Sequence, residues 1–211
     1  MSESHPLLSY FLDAVDGRFP PTDGGVTLLP ALPRGLECSV AFTGHAVIAT
    51  DLPADDVYAQ GPDGLGASLA PDFLRHLAGP TGVIDATLYA RGTGGTPRLA
   101  ELSDAHDHPR VHHAAKLREG VRVYGDERGL VTLADGLAGR REFGIELYRP
   151  QDGSRGHGRS LIVDALSLVP EGEPVFAAAS PGNARSLRSL LAAGFIPIGA
   201  EVLIRPDRRA A

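Results

Sequence analysis

The chain has 211 residues, 43% hydrophobic and 22% charged, values that exclude wholesale disorder and suit one large domain or a core with a smaller appendage. A formal net charge of -6 lacks the basic footprint that non-specific nucleic-acid binding needs, so no nucleic-acid partner is expected. The single cysteine, Cys38, excludes an internal disulfide and a thiolate-rich structural zinc site, and it fits a reducing compartment.

Met1 to Pro6 has neither a basic leader nor an apolar core, and no apolar stretch in the chain approaches the roughly 18 residues of a membrane span. A cytoplasmic location without a membrane partner is the expectation. Ser9 to Val15 is a short amphipathic segment stopped by Gly17 and Pro20-Pro21, which predicts a helix. Val26 to Leu29, Glu37 to Phe42 and His45 to Thr50 read as strands, with Thr43-Gly44 as a tight hairpin turn. Pro53 to Pro71 is rich in Gly, Pro, Asp and Ala without a period, so it reads as a loop. A helix capped by Asp72 is expected to Ala78, then a strand over Gly82 to Arg91.

Arg110 to Glu119 has helical spacing and meets a C-capping glycine at Gly120. Val121 to Tyr124 and Leu130 to Ala134 read as strands joined by Gly125 to Gly129. Arg141 to Tyr148 alternates Phe143, Ile145 and Leu147 with Glu142, Gly144 and Glu146, a strand with two different faces. A glycine-rich turn, Gln151 to Gly156, opens a helix carrying Leu161, Ile162, Ala165 and Leu166. Val175 to Ala179 should be a buried strand, Asn183 to Ala193 a helix, and Phe195 to Ile204 two short strands or one bent one. This alternation predicts an α/β or α+β fold.

The turn Gly153-Ser154-Arg155-Gly156-His157-Gly158-Arg159-Ser160 sits between strand and helix. Successive N–H groups at the positive end of a helix suit a phosphate or pyrophosphate, and small residues permit close approach. No Lys-Ser/Thr follows as in a P-loop, and the three-glycine Rossmann spacing is missing. Residues 1–105 carry 5 basic and 13 acidic side chains and residues 106–211 carry 15 and 13, so an anionic ligand is better placed in the C-terminal half.

Together with Asn183 to Gly194-Phe195, this turn resembles the GNAT superfamily of acyl-CoA-dependent N-acyltransferases. Arg155 to Ile162 looks like that family's acyl-CoA pyrophosphate motif, and Asn183 and Gly194-Phe195 stand at the family's spacing over residues 121–204. The resemblance implies a mixed, splayed central sheet flanked by helices over residues 81–211, with an N-terminal α+β extension over 1–80 packing on it. It implies transfer of an acetyl or other short acyl group from acetyl-CoA or another acyl-CoA to a primary amine, and it leaves room for a homodimer. The cofactor contacts it implies are Leu147, Tyr148, Arg155, Gly156, His157, Gly158, Arg159, Ser160, Asn183 and Ser186, with the backbone N–H of Leu147 or Tyr148 as oxyanion donor.

Acyl transfer to an amine needs a proton acceptor. Glu142 matches a catalytic glutamate of several family members, and Glu146 shares its strand face; the pair can deprotonate an ammonium or merely bind it. Two departures from the pattern stand out. Gly153 replaces a Gln or Arg at the head of the turn, and Leu190 occupies the place of a tyrosine that protonates the departing thiolate. Both favour the alternative, an inactive acyl-CoA-binding or regulatory protein. The run His106 to His113 is divided by Pro109, which turns its pairs apart and leaves them as solvated surface groups with no metal implied.

Overall fold

A computed structural model describes residues 4–78, 83–149 and 156–206. The chain divides into two compact units, one of Met1–Thr87 with Ile198–Ala211 and one of Leu88–Pro197.

The first unit opens with helix α1 (Leu7–Val15), which buries Leu7, Phe11, Ala14 and Val15, the i, i+4, i+7, i+8 stripe of an amphipathic helix. Gly17, at φ 77°, ends it and donates its N–H to Ala14 O. Strands β1 (Val26–Leu29), β2 (Glu37–Phe42) and β3 (His45–Ala49) follow. β2 and β3 form the expected hairpin, closing Phe42 against His45, with Gly44 at φ 71° in the turn. β1 runs parallel to β3 and stands at the edge of the strand order β1-β3-β2-β10-β4. One face is covered by α2 (Ala54–Tyr58) and α3 (Pro71–Ala78), whose Val57, Phe73, Leu74 and Leu77 pack with Ile48, Val202 and Ile204. Helix α2 lies where a loop was expected. Its five residues bury only Val57, too little to show a period. Asp72 was expected as a cap but lies inside α3, paired with Arg75, and Pro71 takes the first helical position. Cys38 is fully buried among strands.

The C-terminal strand β10 (Ile196–Ile204) is a single strand, and from Ala200 onward it pairs antiparallel with β2. The division expected at residue 80 therefore differs from the observed one in a specific way. Ile198, Val202 and Ile204 are buried, and the last two complete the core made by α2 and α3, so the chain returns to its first unit.

The second unit has the order β4-β9-β8-β7-β6-β5, with β4 (Asp85–Arg91), β5 (Ala100–Glu101), β6 (Glu119–Asp126), β7 (Gly129–Asp135), β8 (Arg141–Leu147) and β9 (Pro174–Ala179). The unit is mixed α/β: β6, β7 and β8 are antiparallel, while β8 and β9 are parallel. Helix α4 (Pro109–Leu117) lies on one face, where Val111 packs with Val123 and Leu130. Helices α5 (His157–Ala165) and α6 (Ala184–Ala192) lie on the other. A Cβ at Gly158 would stand 3.8 Å from Leu147 Cδ1, and the Phe143 ring meets Phe195 edge-on at 5.1 Å.

Gly120 does not cap α4 as expected. The helix stops at Arg118 in extended conformation, and Gly120, at φ 61°, sits in β6 where the register against β7 shifts. The β6–β7 turn is also tighter than expected, because Asp126 pairs with Gly129 and the Asp126 carboxylate accepts the Arg128 N–H. No helix among the described residues is long and apolar enough to cross a membrane.

Candidate active site

Strands β8 and β9 are in register at one pair alone, Glu142 with Phe176. Toward Leu147 no further ladder pair joins these two described strands; a sheet splayed along Arg141 to Tyr148 was the expectation. On its other side β8 stays paired with β7 from Arg141 to Leu147. Tyr148 continues that pairing, donating its N–H to Arg128 O at 3.2 Å. Antiparallel ladders alternate, so the Leu147 N–H is turned to the opposite edge of β8, the side of β9. Of the two expected oxyanion donors, the Tyr148 N–H is therefore already engaged with β7, and the Leu147 N–H faces away from β7.

Gly156 stands in the left-handed region at φ 81° as the N-cap of α5 and receives no side-chain cap. Its carbonyl accepts the Ser160 N–H at 2.9 Å. Among the described residues, a Cβ on Gly156 would meet nothing within 4 Å. Gly158 also has a packing role. A Cβ there would come within 3.0 Å of Ser189 Oγ, so this glycine permits α5 to pack closely on α6. Arg155, like Gly153, lies outside the described residues. Asn183 accepts the Ser186 N–H on its Oδ1 at 3.1 Å. Both groups are used in capping α6, which is a local reason for the asparagine at this position.

Sequence reasoning missed an ionic anchor between the β6–β7 hairpin and α5. Arg128 binds Asp126 at 2.5 Å and Asp164 of α5 at 2.7 Å. The Arg128 side chain holds the Asp126 carboxyl below its ordinary value, and the two carboxylates together raise the Arg128 guanidinium well above its own. The β6–β7 hairpin is thereby tied to α5.

Glu142 is not an open base. It is 4% exposed, and both carboxylate oxygens are engaged: Oε1 accepts from Arg140 Nε at 2.8 Å and Leu137 N–H at 3.0 Å, and Oε2 from Arg118 Nε at 2.8 Å. Burial alone would push its carboxyl up, but Arg140, Arg118 and the Leu137 N–H together hold it below the usual range. A carboxylate so stabilised is a poor proton acceptor. Arg140 is itself buried, with its guanidinium 5.1 Å from the centre of the Phe176 ring. The sequence could have hinted at this cluster through the two arginines that precede the acid, Arg140 and Arg141, but Arg118 is brought in only by the end of α4.

Glu146, two pairs further along the same face, is exposed. Between the two acids, a Cβ at Gly144 would stand 2.9 Å from Arg110 Nη2, so the α4 guanidinium lies over the glycine. His108 caps α4 by accepting the Arg110 N–H on Nδ1 at 3.1 Å, and its ring centre is 6.5 Å from that of Tyr148. His113, further along α4, is held below its ordinary value by burial first and by Arg110, Arg118 and Lys116 after it. The histidine run therefore borders the strand face that carries Glu146, with its members in separate roles.

Leu190, where the resemblance would place a tyrosine, is 4% exposed, and its carbonyl accepts the Phe195 N–H at 3.0 Å. A phenol in that packed space overfills it, so Leu190→Tyr is expected to cost about 1–3 kcal/mol. A urea unfolding midpoint measures this directly.

No protein-family model matches the chain, and no curated protein is similar to it. Among solved structures, a GNAT-family protein of Novosphingobium aromaticivorans DSM 12444 is similar over 57% of this chain and 63% of that one, with 16% identity and a TM-score of 0.40. A GNAT-family acetyltransferase of Colwellia psychrerythraea is similar over 64% of this chain and 62% of that one, with 8% identity and a TM-score of 0.37. The chain thus covers less than two thirds of the length of either protein.

Proposed function

We propose that the unit Leu88–Pro197 is a GNAT-type N-acyltransferase that moves an acetyl or other short acyl group from an acyl-CoA to a primary amine. The observation that carries this reading is the short ladder between β8 and β9, Glu142 with Phe176, followed in the chain by the N-terminus of α5, which no side chain caps. An extended thioester arm would lie along the β8 edge beyond that pair, and its pyrophosphate suits the N–H groups of His157, Gly158 and Arg159.

A bound acyl-CoA supplies an activated acyl carbon and a thiolate leaving group of modest basicity. This chain's part is to position and to move protons. The Leu147 N–H stabilises negative charge developing on the acyl oxygen. Glu146, the exposed carboxylate on the face bordered by α4, binds the acceptor ammonium and takes its proton directly or through water. Glu142 holds Arg118 and Arg140 and so fixes the end of α4 against β8. With Leu190 in the core, the thiolate takes its proton from water.

The buried Leu190 and the engaged Glu142 favour a second reading, an acyl-CoA-binding protein without turnover. A thermal-shift titration with acetyl-CoA tests the cradle, and release of free thiol with a panel of amines separates enzyme from binder. Binding without thiol release establishes the second reading; no shift overturns both.

Gly156→Val is expected to weaken acetyl-CoA binding at least tenfold, about 1.4 kcal/mol. The left-handed φ of 81° resists a β-branched residue, so the helix start that presents the N–H groups of His157, Gly158 and Arg159 would shift. Isothermal titration on the folded variant is the measurement, and unchanged affinity removes the turn from the site.

A further inference from the structure

The first unit holds a second constellation that acyl transfer from CoA does not use. His45, at the head of β3, has 7% of its side chain exposed and lies with Nδ1 2.8 Å from Asp23 Oδ1. Its Nε2 is 2.9 Å from Thr27 Oγ1 on β1. The proton positions follow from chemistry. An ionised carboxylate only accepts, so Nδ1 carries the hydrogen. Nε2 of the neutral ring is then the acceptor, and the Thr27 hydroxyl donates to it. Asp23 is in turn oriented by the Gly25 N–H, which donates to the same Oδ1 at 2.7 Å. The His45 hydrogen bond, the largest contribution, and that of Gly25 both hold the Asp23 carboxyl below its ordinary value.

We propose that Thr27, His45 and Asp23 form a nucleophilic site that is acylated by small activated esters. Hydroxyl, imidazole and carboxylate stand in the order of nucleophile, base and orienting group, each within hydrogen-bond reach of the next. In the step, Thr27 Oγ1 bonds to the ester carbonyl carbon as its proton passes to His45 Nε2. The carbon–oxygen bond to the leaving alcohol then breaks, and the alcohol takes that proton from His45. Water, deprotonated by the same nitrogen, later hydrolyses the Thr27 ester, which returns the hydroxyl and releases the acid.

The surroundings suit this use. β1 is an edge strand, and its parallel ladder runs through the carbonyls of Gly25 and Leu29 to the N–H groups of Ala46 and Thr50. By alternation the Leu28 N–H, next to the nucleophile, is turned to the outer edge, where it can meet a developing oxyanion. Phe42 pairs with His45 across the hairpin, so the two share a face, and it contacts Phe11 and Phe19. Phe19 is 43% exposed. The substrate class is an ester with a short apolar or aromatic group.

The test is p-nitrophenyl acetate with the full chain, without acyl-CoA or amine, read as p-nitrophenolate release and as intact and peptide mass. The expected result is acetylation of Thr27, with the acylation rate falling at least hundredfold in Thr27→Val and His45→Gln. Thr27→Ser, which keeps the hydroxyl, should acylate at or above the wild-type rate. Unfolding midpoints of the variants separate lost chemistry from lost fold. Release that is unchanged in Thr27→Val, acetyl found only on other residues, or no acetylation in the wild type each overturns the proposal.

Discussion

Glu142→Ala is expected to destabilise the protein by about 3–5 kcal/mol, because removing one member of a buried ionic cluster leaves the others uncompensated. Arg140 is 1% exposed and Arg118 has 17% of its side chain exposed, so neither guanidinium is well placed to recover its hydration. Urea denaturation monitored by circular dichroism measures the loss. The same contacts set a pH dependence. The folded carboxyl is held below its ordinary value by Arg140 and Arg118, so its contribution is fully present above the unfolded value. That contribution is lost as pH falls through the folded one. Stability of the wild type should therefore decline below the ordinary carboxylate range, and the Glu142→Ala variant should show a shallower decline. A variant as stable as wild type at neutral pH, with an unchanged acid limb, would remove Glu142 from the structural role.

Glu146→Gln is expected to lower turnover about 10²- to 10⁴-fold, the usual contribution of a positioned general base, while acetyl-CoA affinity and the unfolding midpoint stay near wild type. The contrast with Glu142 decides between the two acids. An exposed carboxylate on the open face can exchange protons with substrate and water, whereas one locked between two arginines acts on the fold. The comparison is therefore kcat, KM and midpoint for Glu142→Gln and Glu146→Gln side by side. Turnover of Glu146→Gln within about threefold of wild type would move the proton acceptor to another group.

The regular elements were legible in the chain because their signals are local. The apolar stripe of α1, the alternation of β8, the Thr43-Gly44 turn and the Gly156 cap each depend on neighbours within a few residues. Helix α2 was not legible, since one buried side chain, Val57, cannot establish a period. Gly120 was misread because a left-handed glycine serves equally as a helix cap or in a strand irregularity.

Charge, exposure and partnership were set by distant parts of the chain. The sequence by itself determined that Glu142 and Glu146 share a strand face and that a glycine-bearing helix start follows them. Only the tertiary structure decided that one acid is buried against Arg118 and Arg140 while the other is exposed. It likewise brought Asp23, Thr27 and His45 together across β1 and β3, and returned β10 to the first unit. The physical reason is that hydrophobic periodicity is written in consecutive residues, whereas the desolvation of a charge and the partner that compensates it depend on which strands and helices pack together.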